Sequence, residues 1–228
     1  MISAQNPLLF ILFLTFFSTF SHSQTLDYGL VFIWNNSTQT YNDPTIPEDG
    51  TSQWNYLGTF GGGAYATKAI SLRTAAQLDI NYQQKGYKEI AQVGFIPGGP
   101  FSEMNLRNTF NYLSADLAIK HLLFHSPSIG TYIGLAVEYS YLLNYDIESD
   151  FFPINNFYPV NAYQDKWEKH NISLVPSISL TIDQAITLLF GFNRSLPPVL
   201  KAENLVVKDW IWTVRGSISI PSFFHKKE

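Results

Sequence analysis

The chain lacks cysteine and contains little charge. None of its 228 residues is Cys, and only 14 % are Asp, Glu, Lys or Arg. Without thiols the chain forms no disulfide, no thiolate zinc site and no lipidated N-terminal cysteine, so it tolerates an oxidising compartment. The formal net charge is −4, and the Lys and Arg residues are scattered along the sequence. Because this charge balance gives no basic field for nucleic acid, we expect no nucleic-acid partner.

Recognisable catalytic motifs are absent as well. The sequence contains no GxSxG, no HExxH and no phosphate-binding glycine loop. The glycine-rich "GTFGGGAY" at 58–65 favours close packing or a barrel kink over a phosphate cradle, since it falls within a predicted strand. His125 and Ser126 adjoin only in a predicted turn, so no nucleophile and base are paired. We therefore expect no enzyme, cofactor or metal site, with a lipid-modifying enzyme as the last-ranked alternative.

Long apolar runs are also scarce. The longest, from Leu8 to Phe17, is followed by polar residues and is shorter than the roughly 20 residues that a transmembrane helix needs. Small residues at Ser21 and Ser23 suit cleavage before Gln24. The sequence therefore predicts a cleaved signal peptide at 1–23 and export of one domain, 24–228, while an uncleaved transmembrane helix is the rival interpretation.

Strand-like alternation fills the rest of the chain. In "ISLRTAAQLDINYQ", every second residue from Ile70 to Tyr82 belongs to a mostly apolar face, and the residues between them are mostly polar. Eight such stretches occur, near 26–35, 56–66, 70–83, 109–123, 131–144, 169–182, 185–194 and 206–220. An even, modest number of strands predicts an all-β fold, an eight-stranded antiparallel up-and-down transmembrane β-barrel.

The connections alternate in length. Long polar connections are predicted near 36–55, 84–108, 145–168 and 195–205, and tight turns near Thr67, 125–128 and 183–184. Outer-membrane barrels have short periplasmic turns and long external loops. Loop carboxylates at Asp43, Glu48, Asp49, Asp146, Glu148, Asp150, Asp165 and Glu168 are either simply solvated or bind divalent cations shared with lipopolysaccharide.

Side-chain volume indicates which face points inward. In "TYIGLAVEYSYLLNY", bulky Ile133 and Leu135 alternate with small Gly134 and Ala136. The interior of an eight-stranded barrel is only just wide enough for side chains, so the small polar face points in and the apolar face meets lipid. The alternative is a soluble periplasmic or secreted barrel of opposite sense that binds a hydrophobic ligand.

Two sets of candidate residues follow from this parity. The interior polar network is predicted to contain Arg73, Asp79, Asp116, Lys120, Glu138, Asp209 and Arg215. These charges would pair, because a lone buried charge is costly. A structural plug and a selective pore or proton path both remain open. The aromatic residues predicted at the membrane interface are Tyr82, Tyr139, Tyr141, Phe192, Trp210 and Trp212.

Two segments resemble the PorT-like small outer-membrane β-barrel proteins of Bacteroidota. "LRTAAQLDINYQQKGYK" is similar to that family's strand and Gln-Lys-Gly motif through Gln83, Lys85 and Gly86. "NYLSADLAIKHLLF" is similar to its next segment, matched at Tyr112, Leu113, Leu117 and Lys120. The resemblance implies an outer-membrane scaffold and permits a role in a secretion or gliding apparatus. The expected partners are outer-membrane lipid and lipopolysaccharide, with envelope proteins meeting the external loops.

Overall fold

The computed structural model describes residues 26–42, 53–94, 101–149, 167–202 and 205–224. Nine strands lie in these ranges. They are β1 Leu26–Asn42, β2 Gln53–Ala69, β3 Thr74–Gly94, β4 Phe101–His125, β5 Ile129–Ser149, β6 His170–Ile182, β7 Ile186–Ser195, β8 Leu200–Ala202 and β9 Leu205–Ser219. One short helix, α1 Ile220–Phe224, follows β9.

The strands close into a ring. Neighbours from β1 to β7 pair in sequence order, β7 pairs with β9, and β9 returns to β1. Every pairing is antiparallel, and the seam between the first and last long strands runs from Gly29 opposite Ser219 to Asn42 opposite Val206. The three-residue β8 pairs only with the beginning of β9. The expectation of an eight-stranded antiparallel up-and-down barrel is therefore confirmed.

Short turns gather at one end of the ring, which we call the turn end. Residues 70–73 join β2 to β3, residues 126–128 join β4 to β5, and residues 183–185 join β6 to β7. Asp183 and Gln184 adopt positive φ angles of 48° and 58°, as a tight turn demands. The opposite end, where β1, β3, β5 and β7 finish, is called the far end.

The strands extend beyond their predicted bounds at the far end. β3 reaches Gly94 and β4 begins at Phe101, so most of the predicted loop 84–108 is a paired ladder. β1 and β5 likewise continue to Asn42 and Ser149. Backbone pairing does not require apolar side chains, so the polar composition that suggested loops did not end the strands. The predicted signal peptide lies outside the described residues.

Exposure alternates along each strand. Ile33 is 2 % exposed and its neighbour Phe32 is 59 % exposed, while Glu138 is fully buried beside a 48 % exposed Val137. The outward face is mainly Leu, Ile, Val and aromatic, and the inward face holds most of the buried Asn, Gln, Ser and charged side chains. The barrel is therefore apolar outside and largely polar inside.

The glycine run of β2 lets two strands approach closely. A Cβ atom on Gly63 would lie 2.1 Å from the Ile80 carbonyl oxygen of β3, and one on Gly61 would lie 2.5 Å from the Tyr82 oxygen. The register between β2 and β3 also shifts by one residue between Tyr56 and Gly61, which marks a β-bulge. The run thus serves packing and curvature, as its position in a strand suggested.

Helical structure is limited to α1 in the described residues. Its Ser222 hydroxyl donates to the Gln184 carbonyl at 3.0 Å, which ties the helix to the turn between β6 and β7. No helix within the described ranges has the length and apolar character to cross a membrane.

Candidate functional site: the ionic cluster inside the barrel

A buried carboxylate lies at the centre of the interior. Glu138 on β5 accepts a hydrogen bond from the Lys85 ammonium at 2.6 Å and one from the Arg215 guanidinium at 3.3 Å. Lys85 is on β3 and Arg215 is on β9, so three strands that are not neighbours in the sheet meet at this group. Because all three side chains are almost fully buried, each charge depends on the others for stabilisation.

Arg215 joins two further carboxylates. Its Nη1 atom donates to Asp79 at 3.2 Å and also to Asp116. The planar guanidinium with its five donors suits such multiple contacts better than a Lys ammonium. We call Lys85, Asp79, Asp116, Glu138 and Arg215 the ionic cluster.

Neutral side chains extend the hydrogen bonding of the ionic cluster. Gln83 Nε2 donates to Glu138 at 2.9 Å and to the Ser114 hydroxyl at 2.8 Å, and Asn193 Nδ2 donates to Glu138 at 2.8 Å. Asn35 Nδ2 in turn donates to Gln83 Oε1 at 3.2 Å. These contacts come from β1, β3, β4 and β7, so the network connects opposite walls of the barrel.

A third cation approaches the cluster through an amide. The Lys120 ammonium donates to Gln77 Oε1, and Gln77 Nε2 donates to Asp79 at 2.6 Å. The three carboxylates of the cluster thus face two directly paired cations and one cation connected through Gln77. The charges nearly balance, which is the condition for keeping them in a narrow interior.

Aromatic side chains lie above the ionic cluster toward the far end. Tyr87, Phe110, Tyr112 and Leu142 are buried together, with Trp167 packed against them. The Phe110 ring centroid lies 4.5 Å from that of Trp167 and 6.2 Å from that of Tyr87. The Lys85 ammonium lies 4.9 Å from the centre of the Tyr112 ring, so a cation–π contact joins the two layers. The argument from side-chain volume in the sequence did not predict this aromatic layer, because it placed small residues on the inward face.

A polar latch holds the turn end. Asp27 at the beginning of β1 accepts hydrogen bonds from the Ser219 hydroxyl at 2.5 Å and from the Tyr65 hydroxyl at 3.2 Å. Ser219 ends β9, and its hydroxyl oxygen also accepts the backbone N–H of Ser222 of α1 at 3.3 Å and lies 3.0 Å from the Ser222 hydroxyl. Asp27 therefore connects the first, second and last long strands.

One inner wall, formed by β6, β7 and β9, carries polar atoms without protein partners. Within the described residues, the Asn171 amide, the Ser173 hydroxyl, Asn193 Oδ1 and the Thr213 hydroxyl are buried and form no hydrogen bond with the protein. Buried groups of this kind are usually satisfied by ordered water. This wall of the interior is therefore suited to hydration, and the same holds for Asp116 Oδ1 and Arg215 Nε within the ionic cluster.

The structure brings four of the seven predicted interior residues into the ionic cluster and places the other three elsewhere. Asp79, Asp116, Glu138 and Arg215 come together, and Asp209 is buried nearer the far end, where its backbone N–H donates to Ser195 Oγ at 3.0 Å. Lys120 is half-buried, and its hydrogen bonds connect it to the cluster through Gln77.

Two interior assignments require correction. Arg73 is exposed in the turn between β2 and β3, because the alternation of 70–83 continues through four residues that are a turn. Lys85 was missed as an interior residue, although it has the same odd-numbered parity as Asp79 and Gln83. The alternation thus indicated an inward position for Lys85, but the predicted strand ended at residue 83, two residues too early.

The six predicted interfacial aromatics all lie on the outer surface. Tyr82, Tyr141 and Trp212 are exposed, while Tyr139, Phe192 and Trp210 are partly covered by neighbours. The Tyr139 hydroxyl lies 2.6 Å from His170 Nδ1. The Tyr141 ring also contacts His170, with centroids 5.2 Å apart, and Phe192 contacts Trp210 and Trp212 at 5.3 and 4.8 Å.

The loop carboxylates are only partly described. Asp146 and Glu148 are exposed at the far end of β5, and Glu168 is exposed before β6. Positions 43, 48, 49, 150 and 165 lie outside the described residues. Among the residues that the structure describes, no group of three His, Cys, Asp or Glu side chains is placed to hold a metal ion.

The ring of eight strands, charged inside and apolar outside, defines a small β-barrel with the polarity of a membrane protein. No protein-family model matches the chain, and no curated protein matches it by sequence.

Three solved structures illustrate the similarity in fold. OprG from Pseudomonas aeruginosa is 10 % identical with a TM-score of 0.44, and the match covers 84 % of this chain and 96 % of OprG. Ail from Yersinia pestis is 9 % identical with a TM-score of 0.39, and the match covers 85 % of this chain and 98 % of Ail. Neisserial surface protein A is 9 % identical with a TM-score of 0.38, and the match covers 87 % of this chain and all of that chain, 100 %.

Proposed function

We propose that the chain is an integral outer-membrane β-barrel protein. The observation that carries this proposal is the exposed apolar face of a closed ring, with the charges inside. Leu117, Ile133 and Leu135 are each about half exposed in the middle of their strands, where water would make such exposure costly. Hydrocarbon accepts these side chains, and closure leaves no unpaired edge among the long strands. The turn end then faces the periplasm and the far end faces outward.

The barrel acts as a structural or interaction scaffold. The ionic cluster and the aromatic layer occupy the interior, and an eight-stranded barrel leaves little space beyond its own side chains. This supports a plugged lumen over a selective pore. Contacts with partners then fall to the outer surface and to the connections at the far end.

Heat modifiability of the protein tests the proposal. The full chain would be expressed with its own N-terminal segment, the membranes fractionated, and unboiled and boiled samples compared on a denaturing gel. A closed transmembrane barrel gives an outer-membrane band that migrates differently before and after boiling. A water-soluble periplasmic protein without that shift would overturn the proposal and favour the soluble ligand-binding barrel.

The finer role rests on the PorT-like resemblance of residues 72–88 and 111–124. We propose that the barrel serves a secretion-associated envelope complex, with envelope proteins as partners at the far end. Cross-linking in intact cells, followed by purification of the heat-modifiable barrel, is the measurement. A specific envelope protein recovered only with cross-linker supports the role, and recovery of the barrel alone contradicts it.

A further inference from the structure

A cationic and aromatic patch lies on the outer surface near the far end. Phe192 and Arg194 of β7 and Lys208, Trp210 and Trp212 of β9 form this group, which we call the rim patch. Arg194 is directly opposite Trp210 in the ladder, and its guanidinium carbon lies 4.6 Å from the centre of the Trp210 ring. Phe192 packs against both Trp rings.

The rim patch lies at the height of a membrane surface. Arg194 lies eight positions after Ile186, which is at the turn end of β7. With a rise of about 3.3 Å per residue and a tilt of about 40°, Arg194 lies ~20 Å along the barrel axis, close to the upper limit of an apolar band about 25 Å tall. Lys208 is two residues beyond Trp210 on the same face of β9, nearer the far end. Its ammonium therefore belongs among headgroups.

Charge at the rim patch is of one sign. Within the described ranges, neither Arg194 nor Lys208 forms an ion pair with a carboxylate. Arg107, an exposed outer cation of β4, differs because it lies 3.9 Å from Glu148. The rim patch thus offers donors to an anion, and Leu174, opposite Arg194 on β6, adds an apolar neighbour.

Building on the proposed membrane location, we propose that the rim patch binds one phosphate-bearing lipid of the outer leaflet. Arg194 and Lys208 hold the phosphate by charge-assisted hydrogen bonds. Trp210, Trp212 and Phe192 contact the adjoining acyl chains, while stacking on Trp210 fixes the guanidinium plane. The chemical class is an anionic phospholipid or phosphorylated glycolipid, and the occupant expected in the outer leaflet is lipid A.

The test compares phosphorylated and phosphate-free lipid A. The purified full chain in zwitterionic detergent is titrated with diphosphoryl lipid A and with a synthetic analogue that lacks both phosphates, with Trp fluorescence and native mass spectrometry as readouts. We expect one phosphorylated lipid per barrel and binding at least about tenfold weaker for the phosphate-free analogue. Equal binding of the two lipids would overturn the proposal.

Matched variants localise the site. The double variant Arg194→Gln/Lys208→Gln should bind diphosphoryl lipid A at least about tenfold more weakly than the wild type, because both charged donors are lost. Lys88→Gln/Arg107→Gln removes two exposed cations on β3 and β4 and should bind as the wild type does. Equal losses in both variants would mean general attraction between charges and overturn the assignment.

Other occupants give distinct results. Displacement of the bound lipid by millimolar inorganic phosphate would identify a free anion as the occupant instead of lipid A. A mass of two barrels without lipid would identify a second copy of the chain as the occupant. Each variant is also checked for heat modifiability. A heat-modifiable wild type that binds no lipid A refutes this inference alone, whereas loss of heat modifiability in the wild type refutes the membrane proposal itself.

Discussion

The Lys85 ammonium lies 2.6 Å from the Glu138 carboxylate across an intervening strand. Lys85 is on β3 and Glu138 is on β5, and β4 separates them in the sheet. The pair therefore crosses part of the interior and holds two walls together, beyond what the ladders of hydrogen bonds already do. Both side chains are at most 2 % exposed, so water screens them little.

Replacement of Lys85 should destabilise the barrel strongly. In Lys85→Met the apolar stem is kept and the charge is lost, which leaves Glu138 with Arg215 as its nearest cation. Breaking a buried pair in this way costs about 3–5 kcal/mol in the free energy of unfolding. Urea unfolding of the barrel refolded into lipid vesicles measures this change. As a control, Arg107→Met breaks a surface pair and should cost less than about 1 kcal/mol. Equal losses in the free energy of unfolding for the two variants would show that the buried pair stabilises the barrel no more than the surface pair does.

Truncation of Phe110 should loosen the far end of the interior. The side chain is 1 % exposed and packs against Trp167 and Tyr87, so Phe110→Ala leaves a cavity and lowers the free energy of unfolding by about 3–5 kcal/mol. The comparison variant is Phe124→Ala, at a ring that is 61 % exposed on the same strand. Unfolding in vesicles compares the two. A smaller loss for Phe110 than for Phe124 would contradict the packing described above.

A methyl group at Gly63 should prevent close pairing of β2 and β3. The new Cβ atom would lie 2.1 Å from a backbone oxygen, which only a shift of the strand relieves. Gly63→Ala should therefore yield little heat-modifiable protein. Gly216→Ala is the matched control, since the nearest atom to its Cβ, Leu188 Cδ2, is 3.9 Å away. Wild-type yields for Gly63→Ala would disprove the steric argument.

Removal of the Asp27 carboxylate should fray the seam at the turn end. Asp27→Ala deletes the acceptor of the Tyr65 and Ser219 hydroxyls, at a cost of about 1–3 kcal/mol. Hydrogen exchange of the β1 amides near Gly29 should accelerate, while exchange near Ser140 should not change. Ser126→Ala, in another turn, serves as the control and should leave β1 exchange unaltered. Uniform acceleration throughout the barrel would indicate global destabilisation instead of a local latch.

The sequence predicts the ring and its polarity because a period of two determines both. Parity alone puts Asp79, Asp116, Glu138 and Arg215 on the inward face, where the structure buries them. It does not predict which of them meet, since the contacts join strands that are not neighbours and depend on stagger around the ring. Arg73 shows the opposite failure, because alternation can continue into a turn.

The interior aromatics show a second limit of sequence reasoning. Tyr87, Phe110 and Tyr112 are buried inside, although volume reasoning assigned small residues to that face. The rule describes the middle of the barrel, whereas the strands continue beyond it to the far end. Polar composition concealed that extension, so the layer at Phe110 fell within or beside a predicted loop.

Arg215 belongs to β9, the strand that closes the ring against β1. The carboxylates it neutralises, Asp79, Asp116 and Glu138, lie on β3, β4 and β5. A sheet that lacks β9 therefore holds three acids beside the Lys85 and Lys120 ammonium groups but without the guanidinium that contacts all three, and like charges at close range oppose compaction. Docking of β9 against β1 supplies the missing guanidinium in the same event that seals the ring. Closure of the ring and neutralisation of the three acids are thus a single step.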